Sequence, residues 1–247
     1  VKRMLKQIAL SATYRQASRL TPQLAKGDPE NILLARSPRF RLQGEFIRDT
    51  ALDLSGLLVE KVGGPSVKPY QPSNIWNEVS LNGGLRYKRD NGEKLYRRSM
   101  YTYWKRSAPM PNMLIFDAPT REKCMIQRPI TNTPLQALVT LNDPQFVEAA
   151  RALGQRLIKE GGKDTASRID YGFKLALSRP ATDKEAEVIE RVLDDQLTRF
   201  RSDPNKAKEF LAVGEVTRDE TIDVVDHAAW MVVGQLLLNM DETLTRG

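Results

Sequence analysis

The sequence predicts an α+β protein, mainly α-helical with a small antiparallel sheet, and three observations carry that expectation. Apolar residues recur at helical spacing through most of the C-terminal half. Thr133-Pro134, Asp143-Pro144 and Asp203-Pro204 each pair a capping residue with a proline. Such a pair reads as a helix start, because the cap oxygen accepts an orphan N–H and the proline gives up a donor that had no partner. Residues 96–104, YRRSMYTYW, are instead rich in aromatic residues and suit a strand.

Taken in order, Leu5, Ile8, Ala9 and Ala12 stripe a first helix over residues 1–15. This opening is polar and amphipathic, without an initiator Met or an apolar signal region, and looks like the interior of a longer protein. The stretch RLTPQLAKGDPENILLARSPRF that follows reads as an extended loop. Phe46, Ile47, Ala51, Leu54 and Leu58 then stripe a helix over residues 42–59, closed by Gly63-Gly64. Residues 60–94 carry several prolines and glycines and read as a long loop, a feature that is uncommon unless it serves a function.

In the expected strand, Tyr96, Met100 and Trp104 share one side, while Arg97, Ser99, Tyr101 and Tyr103 share the other. MLIFD, residues 113–117, is its expected hairpin partner. Asn132, Thr133, Asn142 and Asp143 are accounted for by capping, and Leu135, Leu138, Val139 and Leu141 by burial. Longer helices follow, striped by Phe146, Val147, Ala150, Leu153 and Leu157, then by Ile169, Phe173, Ala176 and Leu177. Thr182 and Glu185 form a capping box for a helix striped by Ile189, Val192, Leu193, Leu197 and Phe200. The segment 224–240 is apolar on nearly all sides, too short to span a membrane, and reads as the central buried helix. The expected division is a basic, loop-rich part over residues 1–130 and a helical part over 131–247, as one continuous domain of a larger protein.

Composition narrows the chemistry. A single cysteine, Cys124, and a single histidine, His227, exclude a zinc site, a disulfide framework and haem attachment within this chain. No cofactor and no metal is expected, and any metal would have to be oxygen-ligated. His227 reads as a core histidine and Cys124 as a small buried hydrophobe. The net charge of +7 is uneven: residues 1–109 hold 20 Lys+Arg against 9 Asp+Glu, and the remainder holds 18 against 22.

That basic half contains a belt of charged and aromatic residues: Arg86, Tyr87, Lys88, Arg89, Lys94, Tyr96, Arg97, Arg98, Tyr101, Tyr103, Trp104, Lys105 and Arg106. Guanidinium and ammonium groups suit sulfate, carboxylate or phosphate, and aromatic faces stack on sugars. The candidate ligand-binding residues are Arg97, Arg98, Tyr101, Tyr103, Trp104 and Lys105, joined by Lys68 and Tyr70, which two prolines stiffen, and by Asp117 and Arg121 ahead of the Thr133 helix start. An anionic polysaccharide fits such a surface. Nucleic acid would fit physically as well but is not the expected partner, since no recognition motif or long basic helix accompanies the charge. No catalytic residue is identified, although Asp117 and Glu122 are the carboxylates that a glycan-acting enzyme would use.

Several long stretches are distinctive: ALSATYRQAS, GGPSVKPYQP, LYRRSMYTYWKRSAPMPNMLIFDAPTRE, TNTPLQALVTLNDPQFVEAARAL, FKLALSRPAT and LLLNMDETLTR. Together they resemble the domain of unknown function fifteen fifty-three, the planctomycete-specific PSD domain, over nearly the whole chain. The resemblance implies the C-terminal region of an exported, extracytoplasmic bacterial protein, with a cytochrome-c-like haem domain among its neighbours. It further implies a link to sulfated polysaccharide, because genes of this family lie near sulfatase-like genes. The function expected is therefore a binding or interaction module in polysaccharide processing. The alternatives are a glycan-acting enzyme component and a scaffold that docks the haem domain.

Overall fold

The computed structural model describes residues 1–246, which form two compact units. The smaller unit comprises Val1–Leu42 with the C-terminal strand. It holds α1 (Lys2–Ala9), α2 (Pro22–Gly27) and a two-stranded antiparallel sheet in which β1 (Phe40–Arg41) pairs with β2 (Thr245–Arg246), Phe40 opposite Arg246. Helix α2 lies within the stretch expected to be an extended loop; Thr21 starts it by accepting from the Leu24 N–H at 3.3 Å, with Pro22 at the first position.

The larger unit, Gln43–Leu244, holds α3 (Gly44–Leu54), α4 (Ile75–Glu78), α5 (Pro111–Ile115), α6 (Pro134–Asn142), α7 (Pro144–Glu160), α8 (Thr165–Leu177), α9 (Asp183–Ser202), α10 (Pro204–Leu211), α11 (Val224–Asn239) and α12 (Asp241–Leu244). The chain is thus mainly α-helical with a small sheet, as the sequence predicts. Helix α11 is the central element: Ala228, Ala229, Trp230, Met231, Val233 and Leu237 are buried, and α7 and α9 pack along it. No helix among the described residues is long and apolar enough to cross a membrane.

Asp143 starts α7 as expected, its carboxylate accepting from the Gln145 N–H at 3.0 Å with Pro144 behind it. Thr182 and Glu185 form the capping box of α9, and Asp203 caps α10. Thr133 departs from expectation: it precedes Pro134 in extended conformation but makes no cap bond with its side chain.

The sheet lies elsewhere than residues 96–104 and 113–117. Residues 92–101 form two 3-10 turns, Gly92–Tyr96 and Ser99–Tyr101, and MLI belongs to α5, which Pro111 initiates. The cause is Arg48 on α3, 1% exposed. Its guanidinium donates to the Leu95 carbonyl at 2.6 Å, the Arg97 carbonyl at 2.7 Å and the Gln145 side chain at 2.7 Å. Carbonyls that a strand would offer to a neighbour are consumed by a buried cation. Burial of Leu135 and Leu138 also fails. They are 59% and 54% exposed, whereas Gln136 and Thr140 of the same helix are buried. Cys124 is exposed rather than buried.

Candidate functional site

Residues 67–70 run beside residues 101–103. The Val67 N–H donates to the Tyr101 carbonyl at 2.8 Å, and the Tyr103 N–H donates to the Val67 carbonyl at 2.7 Å. Lys68 is fixed from behind by Asp90, whose carboxylate accepts its N–H at 2.8 Å, while the Pro69 carbonyl accepts from the Tyr87 hydroxyl at 2.6 Å. Stiffness at the two prolines and these four bonds therefore hold the backbone at Lys68 in place.

Trp76, on the single turn of α4, is buried against Tyr87, edge to face at 5.2 Å between ring centroids, and against Tyr103 at 5.8 Å. Two ammonium groups converge on its ring. The Nζ atoms of Lys68 and Lys105 each lie 5.5 Å from the Trp76 centroid, and that of Lys68 lies 5.3 Å from the Tyr103 centroid. Among the described residues, neither ammonium is within ion-pair distance of a carboxylate. Trp76 Nε1, Gln71 Nε2, Asn77 Oδ1 and Thr102 Oγ1 are buried polar atoms without a hydrogen-bond partner. Such atoms are rare in a finished fold and suit a site that a ligand or water completes.

A cleft of about 570 Å³ continues along the same segment, lined by Tyr103, Trp104, Lys105, Arg106, Ser107 and Glu122. Tyr103 is 40% exposed. Trp104 is held by its Nε1 donating to the Thr120 carbonyl at 2.9 Å, and the Arg121 guanidinium lies 4.7 Å from its ring centroid. Lys68, Tyr103, Trp104, Lys105 and Arg121 thus belong to one neighbourhood.

The other candidate residues have different duties. Arg97 is buried and donates to the carbonyls of Lys61, Gly63 and Pro65, with Tyr101 stacked at 3.9 Å, so it clamps the 61–65 turn. The Tyr101 hydroxyl completes that clamp by accepting from the Gly63 N–H at 2.9 Å. Arg98 lies 3.9 Å from Asp49 in a separate cleft of about 470 Å³ that also contains Asp53 and Glu60. Asp117 accepts from the Thr131 N–H at 2.7 Å and from its hydroxyl, closing the neck of the exposed 118–130 loop. Both Asp117 and Arg121 take the left-handed backbone conformation.

Tyr70 points into the protein. Its hydroxyl donates to Glu148 at 2.9 Å, and burial, reinforced by the Glu148 charge, pushes its pKa up to about 12. Glu148 itself is fully buried and also accepts from Tyr96 at 2.9 Å and from the N–H groups of Glu215 and Val216 at 2.6 and 2.8 Å. His227 is fully buried, and its Nε2 lies 3.0 Å from the Arg151 carbonyl; burial lowers its pKa, so it is a neutral core group. Among the described residues no three His, Cys, Asp or Glu side chains are grouped to hold a metal.

Sequence reasoning passed over Trp76 and Glu148. Trp76 could have been found as the sole tryptophan of the loop-rich segment, and Glu148 as the one acid in the apolar stripe of α7. A protein-family model, PSD1, which stands for a protein of unknown function (DUF1553), matches residues 1–193. No curated protein and no solved structure matches the chain.

Proposed function

From the premise that this chain belongs to the PSD1 family of proteins of unknown function, we propose that it is a non-catalytic binding module for anionic polysaccharide. The observation that carries the reading is the convergence of Lys68 and Lys105 on the Trp76 ring, where neither ammonium forms an ion pair among the described residues. Two like charges held near one ring repel each other, and an anionic group between them removes that cost. The face of Tyr103 beside them offers a platform for a sugar ring, and Arg106 extends the positive surface along the cleft.

Lysine ammoniums act as point charges and suit a tetrahedral sulfate ester, which needs no planar fork. Three of the five arginines of the belt are engaged elsewhere: Arg97 on carbonyls, Arg89 on Glu215 and Arg98 near Asp49. Sulfated polysaccharide is therefore the preferred ligand class. We place the module in an exported, extracytoplasmic protein whose other domains, a haem domain among them, are its further partners. That placement is drawn from the family resemblance alone.

The experiment compares binding to sulfated, carboxylated and neutral polysaccharides, with DNA as a control, across a salt series. Binding to the sulfated polymer weakens as salt rises. The Lys68→Ala/Lys105→Ala variant loses about tenfold or more in affinity, a loss of roughly 1.4 kcal/mol. Equal binding by the variant, or no binding to any polyanion, would sink the reading. Arg97 is left intact in this test, because its loss would release the 61–65 turn.

A further inference from the structure

The cleft that runs on from Lys105 contains a group that an anion site does not require. Glu122 is the only acidic side chain lining it, beside Tyr103, Trp104, Lys105, Arg106 and Ser107. Neighbouring contacts put it there. Trp104 Nε1 donates to the Thr120 carbonyl at 2.9 Å, and the Arg121 guanidinium lies 4.7 Å from the Trp104 ring centroid, so residues 120 and 121 are held to a ring of the cleft wall. Arg121 takes the left-handed backbone conformation, with φ of 64°, and the Glu122 N–H donates back to the Thr120 hydroxyl at 3.4 Å. The chain therefore turns at Arg121 and sets Glu122 on the border of the cleft.

Lys105 and Arg106 share the cleft with this carboxylate, yet among the described residues no ion pair joins either cation to it. Both signs of charge thus stand open in one cleft. A carboxylate repels a second anion and accepts from hydroxyl donors, as a sugar ring offers. The ammoniums of Lys68 and Lys105 at the Trp76 ring attract an anion, and Lys105 belongs to that pair and to the cleft alike. One polymer meets both demands if it carries a sulfate where the lysines converge and free hydroxyls on the sugar that reaches Glu122. A polymer sulfated on every sugar brings like charge to Glu122 and is disfavoured.

We infer that Glu122 is a specificity-determining residue, which restricts the site to polysaccharide in which sulfated sugars alternate with unsulfated ones. The inference rests on the reading of this site as a binder of sulfated polysaccharide. It adds a preference that charge alone opposes, because a purely basic surface binds best to the polymer of highest charge density. Repulsion between like charges about 4 Å apart in water changes an affinity by about fivefold.

Calorimetric titration with one galactan in two forms, sulfated on alternate sugars or on every sugar, tests it at a single ionic strength. The wild type is expected to bind the alternating form at least as tightly as the fully sulfated one. Glu122→Gln shifts the ratio of the two affinities toward the fully sulfated form by about fivefold, the size of one such repulsion. Glu122 is exposed, so the variant keeps its circular dichroism spectrum and melting midpoint. Lys68→Ala/Lys105→Ala instead weakens binding to both forms, which separates loss of the anion site from loss of discrimination. A wild type that prefers the fully sulfated form as strongly as Glu122→Gln does overturns the inference and leaves the anion site standing. Absence of binding to either form overturns both.

Discussion

Gly234 of α11 lies directly against the Ala150 carbonyl of α7: a Cβ at position 234 would stand 2.5 Å from that oxygen. One turn away on α7, a Cβ at Gly154 would stand 2.7 Å from the Met231 nitrogen and 2.8 Å from the Trp230 carbonyl oxygen. Both obstacles are backbone atoms, which cannot swing aside. The two central helices therefore touch along their main chains. Gly234→Ala and Gly154→Ala each lower stability by about 1–3 kcal/mol through overpacking, despite the better helix propensity of alanine. Denaturant unfolding with an unchanged slope measures this, and a variant as stable as the wild type would contradict the close approach.

Glu148 ties the C-terminal helices to the loop-rich half, since its four donors come from residues 70, 96, 215 and 216. Arg151 lies 3.6 Å away and donates to the Val216 carbonyl as well. Removal of the carboxylate strands these donors in a dry interior. Glu148→Ala destabilises by roughly 3–5 kcal/mol, in the range found when one partner of a buried ion pair is removed. Gly214 fits the same arrangement, because its left-handed φ of +100° and its contact with the Glu148 side chain leave no room for a Cβ. Thermal melting of Glu148→Ala beside Glu148→Asp checks the prediction, and a melting point within error of wild type for the alanine variant would refute it.

Tyr70 makes the fold sensitive to alkali. Its folded pKa of about 12 lies above the ordinary value of 10.0, first because it is buried and then because Glu148 opposes a second negative charge. The unfolded chain therefore loses this proton before the folded one does. The stability that Tyr70 contributes is fully present below pH 10 and is lost as pH rises from 10 toward 12. Denaturant midpoints should fall over that window, and Tyr70→Phe should make the fall shallower without abolishing it, because burial raises Tyr87 and Tyr96 as well. An equal fall in both proteins would show that another group controls it.

Much of the helical half was legible because its signals are local. Asp143-Pro144, the Thr182–Glu185 box and Asp203-Pro204 each act within one helical turn, and each starts the expected helix. The failures are tertiary. No local pattern announces that Arg48 will claim the carbonyls of Leu95 and Arg97, residues 47 and 49 positions away, and convert an expected strand into 3-10 turns. The same limit applies to the candidate site. Lys68 and Lys105 could be named for their charge, but that the Trp76 ring gathers them emerges only once residues 67 and 102 are paired. Arg97 looked like a ligand group because a guanidinium suits an anion as well as it suits three carbonyls.

Asp117 and Thr131 pin the 118–130 loop at its neck, and they do so with side-chain bonds at the surface. Asp117→Ala removes those bonds and places an alanine where φ is 61°, a conformation that aspartate tolerates better. The loop holds Arg121 and Lys123, both targets for trypsin, whereas Arg128 precedes Pro129 and resists it. Limited proteolysis should cut the variant within this loop several times faster than the wild type, while the global unfolding midpoint moves little. Unaltered cleavage would mean that the Trp104 bond to Thr120 and the Arg128–Glu45 pair, at 2.8 Å, hold the loop unaided.

Arg179 joins three elements by donating to Glu185 at the start of α9 and to Glu242 on α12 from the end of α8. The Arg179 bonds, followed by those from Thr182, hold the Glu185 carboxyl at about 2, below its ordinary 4.5. A depressed carboxyl favours the fold above pH 4.5 and loses that contribution as pH falls from 4.5 toward 2. The pair is partly exposed, with side chains 33% and 29% accessible, so screening keeps its worth to about 1 kcal/mol or less. Arg179→Met should therefore unfold at a slightly higher pH in acid titration while differing little from wild type at neutral pH in high salt. Acid midpoints that coincide for the two proteins would show that the link across α8, α9 and α12 contributes nothing to acid stability.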